Sequence, residues 1–294
     1  MSLSFTGERF VPECAGEMVY EHWHRYLIAQ HHVAGKRVLD IPCGEGYGSH
    51  LLARHAGSVV GVDISADAVT HAATRYPREN LRYVAADCTR IPEPDASFDV
   101  IVSFEMIEHI LAQEEFLSEA ARLLKPDGLF IISSPNRPEY TDKTGYQNEF
   151  HVKELDRPEL KALLDAHFPA QRWFAQRAAF HSMVWPLDAT ATRAEALSIQ
   201  GGPAWPEPLY FLVFCANELS TLRQVPSDLT LVTDAEQSVY AEWSRTYREN
   251  AMLHDKVRAM EAQPPASATG AAQVEPSAPV AESWLVRLAR QITG

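Results

Sequence analysis

The stretch VLDIPCGEGYGSHLLA, residues 38–53, constrains the fold more than any other part of the chain. A β-rich apolar run ends in an acid, Asp40. Glycines follow at 44, 46 and 48, and a helical apolar pattern begins at once. A strand that enters a glycine turn and leaves as a helix opens a parallel α/β sheet, whose ligands bind beyond the carboxyl ends of the strands. A phosphate loop would need GxxxxGK[ST], which is absent. A dinucleotide turn would need GxGxxG, its third glycine letting helix pack on strand. Here the spacing is GxGxG, with Asp40 four residues before the first glycine. An acid so close to the turn repels a pyrophosphate and suits a ligand with positive charge.

The same alternation continues downstream. Strands are expected at 37–41, 59–63, 81–85, 98–104 and 129–133, with two more at 171–175 and 209–215. Helical patterns lie at 48–55, 66–76, 112–125 and 158–166, and KPDG at 125–128 reads as the turn between a helix and a strand. The expected fold class is α/β: a Rossmann-like, mainly parallel sheet with helices on both faces. An amphipathic helix precedes it at 17–30.

Two further acids end the next strands. Asp63 can accept both hydroxyls of a ribose, and Asp87, with the Cys88 N–H beside it, can hold an adenine edge; Ile91 is placed to pack on the ring face. Three acids at three consecutive strand ends fit S-adenosylmethionine (SAM), although any one alone could be a helix cap. The stretches VLDIPCGEGYG, VVGVDIS, AADCTRIP, FDVIVSFEMIEHI and LLKPDGLFIISSPN resemble class I SAM-dependent methyltransferases of the small-molecule type. Pro42 departs from the glycine usual there. The resemblance implies a seven-stranded sheet with an antiparallel last strand. It also implies cofactor contacts from Asp40, Gly44, Glu45, Gly46, Gly48, Asp63, Ile64, Asp87, Cys88 and Phe104.

A second constellation follows the fourth strand. In FEMIEHI, Glu105, Glu108 and His109 stand at i, i+3 and i+4, so one helical turn would present all three on one side. An alkyl hydroxyl needs a general base, or a metal that lowers its pKa, before it attacks a methyl group. His109 could be the base. Alternatively Glu105, Glu108, His109 and a distant His151 could hold a divalent ion, or the group could position substrate. ExxEH with a later histidine resembles the RNA 3′-end 2′-O-methyltransferases, and ubiquinone-pathway O-methyltransferases share the ExxEH part. TGERFVPE with EMVYEHWHRYLIA resembles the start of bacterial methyltransferases of surface-polysaccharide pathways. There Arg9, His24, Arg25 and Tyr26 could form a lid, and Tyr140, Tyr146, Phe150 and Trp173 could stack on an acceptor.

A net charge of −13, with 39 acids against 26 bases, argues against a nucleic-acid partner. The four cysteines show no CxxC pair, which suits a reducing cytoplasm, and no apolar run is long enough for a transmembrane segment. The expected organisation is an N-terminal lid at 1–36, the methyltransferase domain at 37–218, a helical extension at 219–262, a disordered Ala/Pro/Ser linker at 263–282 and a short amphipathic helix at 283–294. That last helix, with Trp284, Leu285, Leu288 and Ile292 on one face, is expected to dock on a protein partner, a second copy of the chain or the inner membrane surface. The expected activity is O-methylation of a hydroxyl on a sugar, in a glycan or a nucleotide-sugar precursor. A phenol, an RNA ribose or a non-catalytic scaffold role are the alternatives.

Overall fold

The computed structural model describes residues 16–180 and 205–261. The expected linker at 263–282, the helix at 283–294 and Arg9 lie outside them. Seven strands form: β1 (Arg37–Asp40), β2 (Ser58–Asp63), β3 (Leu81–Ala85), β4 (Phe98–Ser103), β5 (Leu124–Pro135), β6 (Ala170–Gln176) and β7 (Tyr210–Ala216). They make one sheet in the order β3-β2-β1-β4-β5-β7-β6. The first five pair in parallel, and β7 runs antiparallel between β5 and β6. The expected α/β class and seven-stranded sheet are therefore present. The order reverses at β1, so the carboxyl ends of β1 and β4 diverge, and the crevice between them is where a ligand fits.

Helices α1 (Glu17–Gln30), α2 (Tyr47–Leu52), α3 (Ala66–Arg75), α4 (Gln113–Leu123), α5 (Arg157–Asp165) and α6 (Ser238–Glu261) accompany the sheet. Local chemistry sets their starts. Ser65 caps α3 by accepting from the Ala68 N–H at 3.2 Å, and Asp156 and Glu159 form a reciprocal capping box on α5. Two apolar clusters cover the two faces of the sheet. One packs Phe116, Leu117, Leu160 and Phe168 on β4 and β5; the other packs Tyr26, Ala29, Leu51 and Leu52 on the opposite side.

Two elements differ from expectation. β5 begins at Leu124, before KPDG, because Leu124 pairs with Phe98 and the register with β4 shifts between Phe98 and Val100. The KPDG segment is thus an irregularity within the strand rather than a turn ahead of it. Ile91, expected on a ligand's ring face, is 4% exposed and packs in the core, its N–H donating to Glu119. The described residues fall into two compact units, divided between Glu242 and Trp243 within α6. In the second unit Trp243 stacks on Tyr247 at 5.6 Å, and Leu253 and Val257 are exposed.

Candidate active site

The glycine turn follows from its neighbours in the fold. Gly46 has φ +100°, and a Cβ there would meet Ala72 of α3 at 2.6 Å. At Gly48 a Cβ would fall inside the ring of Tyr26, which lies flat against the loop. Sequence reasoning assigned both glycines to ligand approach; the structure assigns them to α3 and α1. Gly48→Ala is expected to destabilise the fold by about 1–3 kcal/mol through overpacking. A urea midpoint equal to that of the wild type would contradict this.

Asp40 is fully buried beneath the loop. Its Oδ1 accepts from the Tyr26 hydroxyl at 3.0 Å and its Oδ2 from Ser49 at 2.5 Å. Burial pushes its carboxyl up to about 7 despite both bonds. Tyr26, read from sequence as lid material, is instead the link between α1, Asp40 and Gly48. Phe104 meets the Tyr26 ring edge-on at 5.0 Å and is 6% exposed. Asp63 accepts from the Gly44 N–H at 3.0 Å and from the Ser65 N–H at 2.8 Å, so it sets the loop's position. Beside it Ile64 is 79% exposed, an apolar surface next to a buried acid. Asp87 accepts from the Thr89 N–H and hydroxyl, both at 2.8 Å, and these bonds hold it below the usual carboxylate range. Cys88 is half-buried, its thiol pushed up to about 11 by burial. Glu45 is 3% exposed. His71, Tyr76 and Arg75 take its carboxylate at 2.9, 2.8 and 3.2 Å, tying the loop to α3.

The ExxEH segment also departs from its expected form. Glu105 has φ +50°, a left-handed conformation costly for a non-glycine residue and typical of functional sites. Residues 107–109 then form a 3₁₀ turn rather than an α-helical one. The spacing argument fails at Glu105 for that reason. Its Oε1 accepts from Ser133 at 2.6 Å and stands 3.4 Å from Arg25 Nη1. Glu108, His109 and His151 do come together, one ligand atom from each lying within 4.8 Å of the others. Glu105 is outside that group, so the expected four-residue metal set reduces to three.

The tautomers of the two histidines follow from their partners. His109 Nδ1 is 3.0 Å from the Phe150 carbonyl, which can only accept, so Nδ1 carries the proton and Nε2 the lone pair. His151 Nδ1 donates to Glu154 Oε1 at 2.5 Å, and Thr141 donates to the other Glu154 oxygen at 2.6 Å. Asn148 Oδ1 accepts from the Phe150 N–H, which turns its amide nitrogen onto His151 Nε2 at 3.0 Å. Glu108 is fully buried and neither carboxylate oxygen has a hydrogen-bond partner. Burial, reinforced by the charge of Glu105, holds its carboxyl well above the ordinary range. An orphaned buried carboxylate beside two imidazoles is a donor set that fits a divalent ion such as Mn²⁺, Fe²⁺, Co²⁺ or Zn²⁺, provided His151 Nε2 exchanges its Asn148 contact for the ion. Tyr140 stacks on His151 at 5.5 Å and meets Tyr210 at 5.7 Å, forming an aromatic wall beside the cluster. Tyr146 meets Tyr140 at 6.1 Å, whereas Trp173 packs on Phe211 and the core. Glu154, Asn148 and Tyr210 were missed from sequence. Only Glu154, three residues after His151, left a local signal.

Residues 39–132 match the family described as a methyltransferase domain. A Mycolicibacterium smegmatis protein named "Probable S-adenosylmethionine-dependent methyltransferase" is 41% identical over 56% of this chain and 64% of its own length. The chain thus spans less than two thirds of that relative. A fatty-acid O-methyltransferase of the same species is 35% identical over 40% of this chain and 46% of its own. Among solved structures, a chain of the complex between the Haloferax volcanii Trm112 methyltransferase activator and a methyltransferase superposes with TM-score 0.50 at 19% identity. That match covers 67% of this chain and 90% of the other, and it is a likeness of fold. The segment that builds the glycine loop, the three acidic strand ends and the ExxEH turn thus matches a methyltransferase domain and is similar to a protein named as S-adenosylmethionine-dependent.

Proposed function

We propose that this chain moves the methyl group of SAM to a hydroxyl oxygen of a small-molecule acceptor. The observation that carries this is the Glu108–His109–His151 cluster, in which hydrogen bonding leaves the lone pair of His109 on Nε2. In this reading Asp63 accepts the ribose hydroxyls, Ile64 supports the adenine and Asp87 with Cys88 holds its edge, while the loop from Gly44 to Gly48 carries the methionine end. The acceptor oxygen attacks the methyl carbon in line with the breaking C–S bond. His109 Nε2 takes the hydroxyl proton, and S-adenosylhomocysteine leaves as a neutral sulfide. Asp63→Ala is expected to lower SAM affinity by about 30-fold or more, the worth of two charge-assisted hydrogen bonds, as read by calorimetry. Unchanged affinity would remove Asp63 from the site.

The acceptor we favour is a sugar hydroxyl in a glycan or nucleotide-sugar precursor. The half-buried ring of Tyr140 beside the cluster, with polar Asn148 and Glu105 nearby, supports it as a surface for a sugar ring. Likeness to a fatty-acid O-methyltransferase supports a carboxyl acceptor as the alternative. Among the described residues no helix is long and apolar enough to cross a membrane. Docking through residues 283–294 and self-association stay part of the proposal.

A second reading rests on Glu108. Its orphaned oxygens, with His109 and His151, would hold a divalent ion, and such an ion when bound lowers the pKa of a hydroxyl. Methyl transfer from labelled SAM to a panel of sugars, phenols and fatty acids tests the function. Repeating it in EDTA separates the two readings: full activity leaves His109 as the base, and loss restored by Mn²⁺ assigns the ion. No transfer to any acceptor class would overturn the enzyme reading.

A further inference from the structure

Glu21 is a buried acid that the mechanism above does not use. It is 5% exposed, and its Oε1 has no hydrogen-bond partner. A backbone hydrogen bond from Ala178 reaches the carboxyl group, and the Glu21 carbonyl accepts from Gln176 at 2.9 Å. One turn along α1, Arg25 donates Nε to the same Gln176 side chain at 2.7 Å and lies over the Tyr210 ring, 4.5 Å from its centroid. Gln176 ends β6 and pairs with Tyr210, which pairs in turn with Pro135 at the end of β5. Glu21 is therefore anchored at the carboxyl edge of β5 and β6. The acids proposed to hold the cofactor follow β1, β2 and β3, on the far side of β4 in the sheet order. Tyr210 also meets Tyr140, which stacks on His151, so Glu21 belongs to the same half of the crevice as the histidine cluster.

A buried carboxyl oxygen without a partner costs free energy that a bound polar group recovers. The charges around it select that group. Arg25 is the strongest charge acting on the Glu21 carboxyl, and it opposes a cation there. Glu21 itself, with Glu17 and Glu105 acting on it, opposes an anion. An uncharged hydrogen-bonding group remains. We infer that Glu21 Oε1 binds a hydroxyl of the acceptor sugar, one other than the hydroxyl that is methylated. Burial pushes the carboxyl up to about 7, so near neutral pH it can donate as well as accept, which suits a hydroxyl. The same surroundings work against a fatty-acid carboxylate, which would meet Glu21 and Glu105 together. The inference rests on the sugar reading proposed above and makes Glu21 a specificity-determining residue.

The test is methyl transfer from labelled SAM by the full chain to methyl hexosides and nucleoside-diphosphate hexoses, each with its monodeoxy analogues. For the sugar that the wild type methylates, one deoxy analogue is expected to lose about 10- to 100-fold in kcat/KM, through KM, the span of a hydrogen bond to a charged group. Glu21→Leu is expected to bring the parent sugar down to that level and to leave the analogue unchanged. Its S-adenosylhomocysteine affinity is expected to stay within about twofold of the wild type. Glu21→Gln, which still donates and accepts, is expected to stay within about threefold on the parent sugar. If the leucine variant does not fold, the same comparison with Glu21→Asp, whose carboxyl stops one methylene short, decides. Equal losses on the parent and every analogue would assign Glu21 to structure alone, and an unchanged KM would mean that water satisfies Oε1. Either result overturns the inference, as does weakened S-adenosylhomocysteine binding. A wild type that methylates no sugar would overturn the acceptor reading on which the inference rests.

Discussion

His109→Ala is expected to lower turnover by about 10²-fold or more while S-adenosylhomocysteine affinity stays within about twofold of the wild type. The two halves of that result come from geometry. His109 sits on the 3₁₀ turn after β4, whereas the residues proposed to hold the cofactor follow β1, β2 and β3. Removing the imidazole takes away Nε2, the only His109 nitrogen that can accept a proton while Nδ1 serves the Phe150 carbonyl. His151→Ala then discriminates the roles. If the cluster holds an ion, losing His151 matches the effect of EDTA. If His109 acts as a base, losing His151 costs less, since its own Nε2 is occupied by Asn148. A His109→Ala protein with wild-type turnover would exclude both.

Legibility in the sequence followed the range of the interactions involved. The strand ends at Asp40, Asp63 and Ala85 were readable because apolar runs and the acids that stop them are local signals. So was the pairing of ExxEH with His151, since the motif and the later histidine both stand out by type. Gly48 was readable as a required glycine but not for its reason, because Tyr26 comes from a helix 22 residues earlier. Glu45 looked like a loop acid facing ligand; only tertiary packing brings His71, Arg75 and Tyr76 to it. Glu105 fell out of the cluster because a left-handed backbone interrupts the helical spacing, and no residue type announces that. Arg25 was readable as lid material, but its burial without hydrogen bonds at Nη1 and Nη2 was legible only in the fold. Helical spacing shows which face is buried, but not which buried polar group stays unsatisfied.

The wild type is expected to lose stability relative to Asp40→Asn as pH rises from about 4 to 7, by an amount on the order of 4 kcal/mol. Burial raises the Asp40 carboxyl from 3.8 to about 7. Below 3.8 the folded and unfolded states both hold the proton. Between 3.8 and about 7 only the folded state does, so folding takes up a proton and each pH unit costs about 1.4 kcal/mol. Above 7 both states are ionised and the difference is constant. Asparagine accepts from Tyr26 as the acid does but has no proton to exchange, so its urea midpoint lacks this slope. Glu21 is also pushed up to about 7 and Glu108 is raised as well, so the wild-type slope alone mixes several groups, and the difference between the two proteins isolates Asp40. Parallel midpoints for both proteins from pH 4 to 8 would show that Asp40 titrates normally. The same charge bears on the cofactor. A sulfonium seated over the loop favours ionised Asp40, so SAM should gain affinity relative to uncharged S-adenosylhomocysteine as pH passes 7 in the wild type, and not in Asp40→Asn.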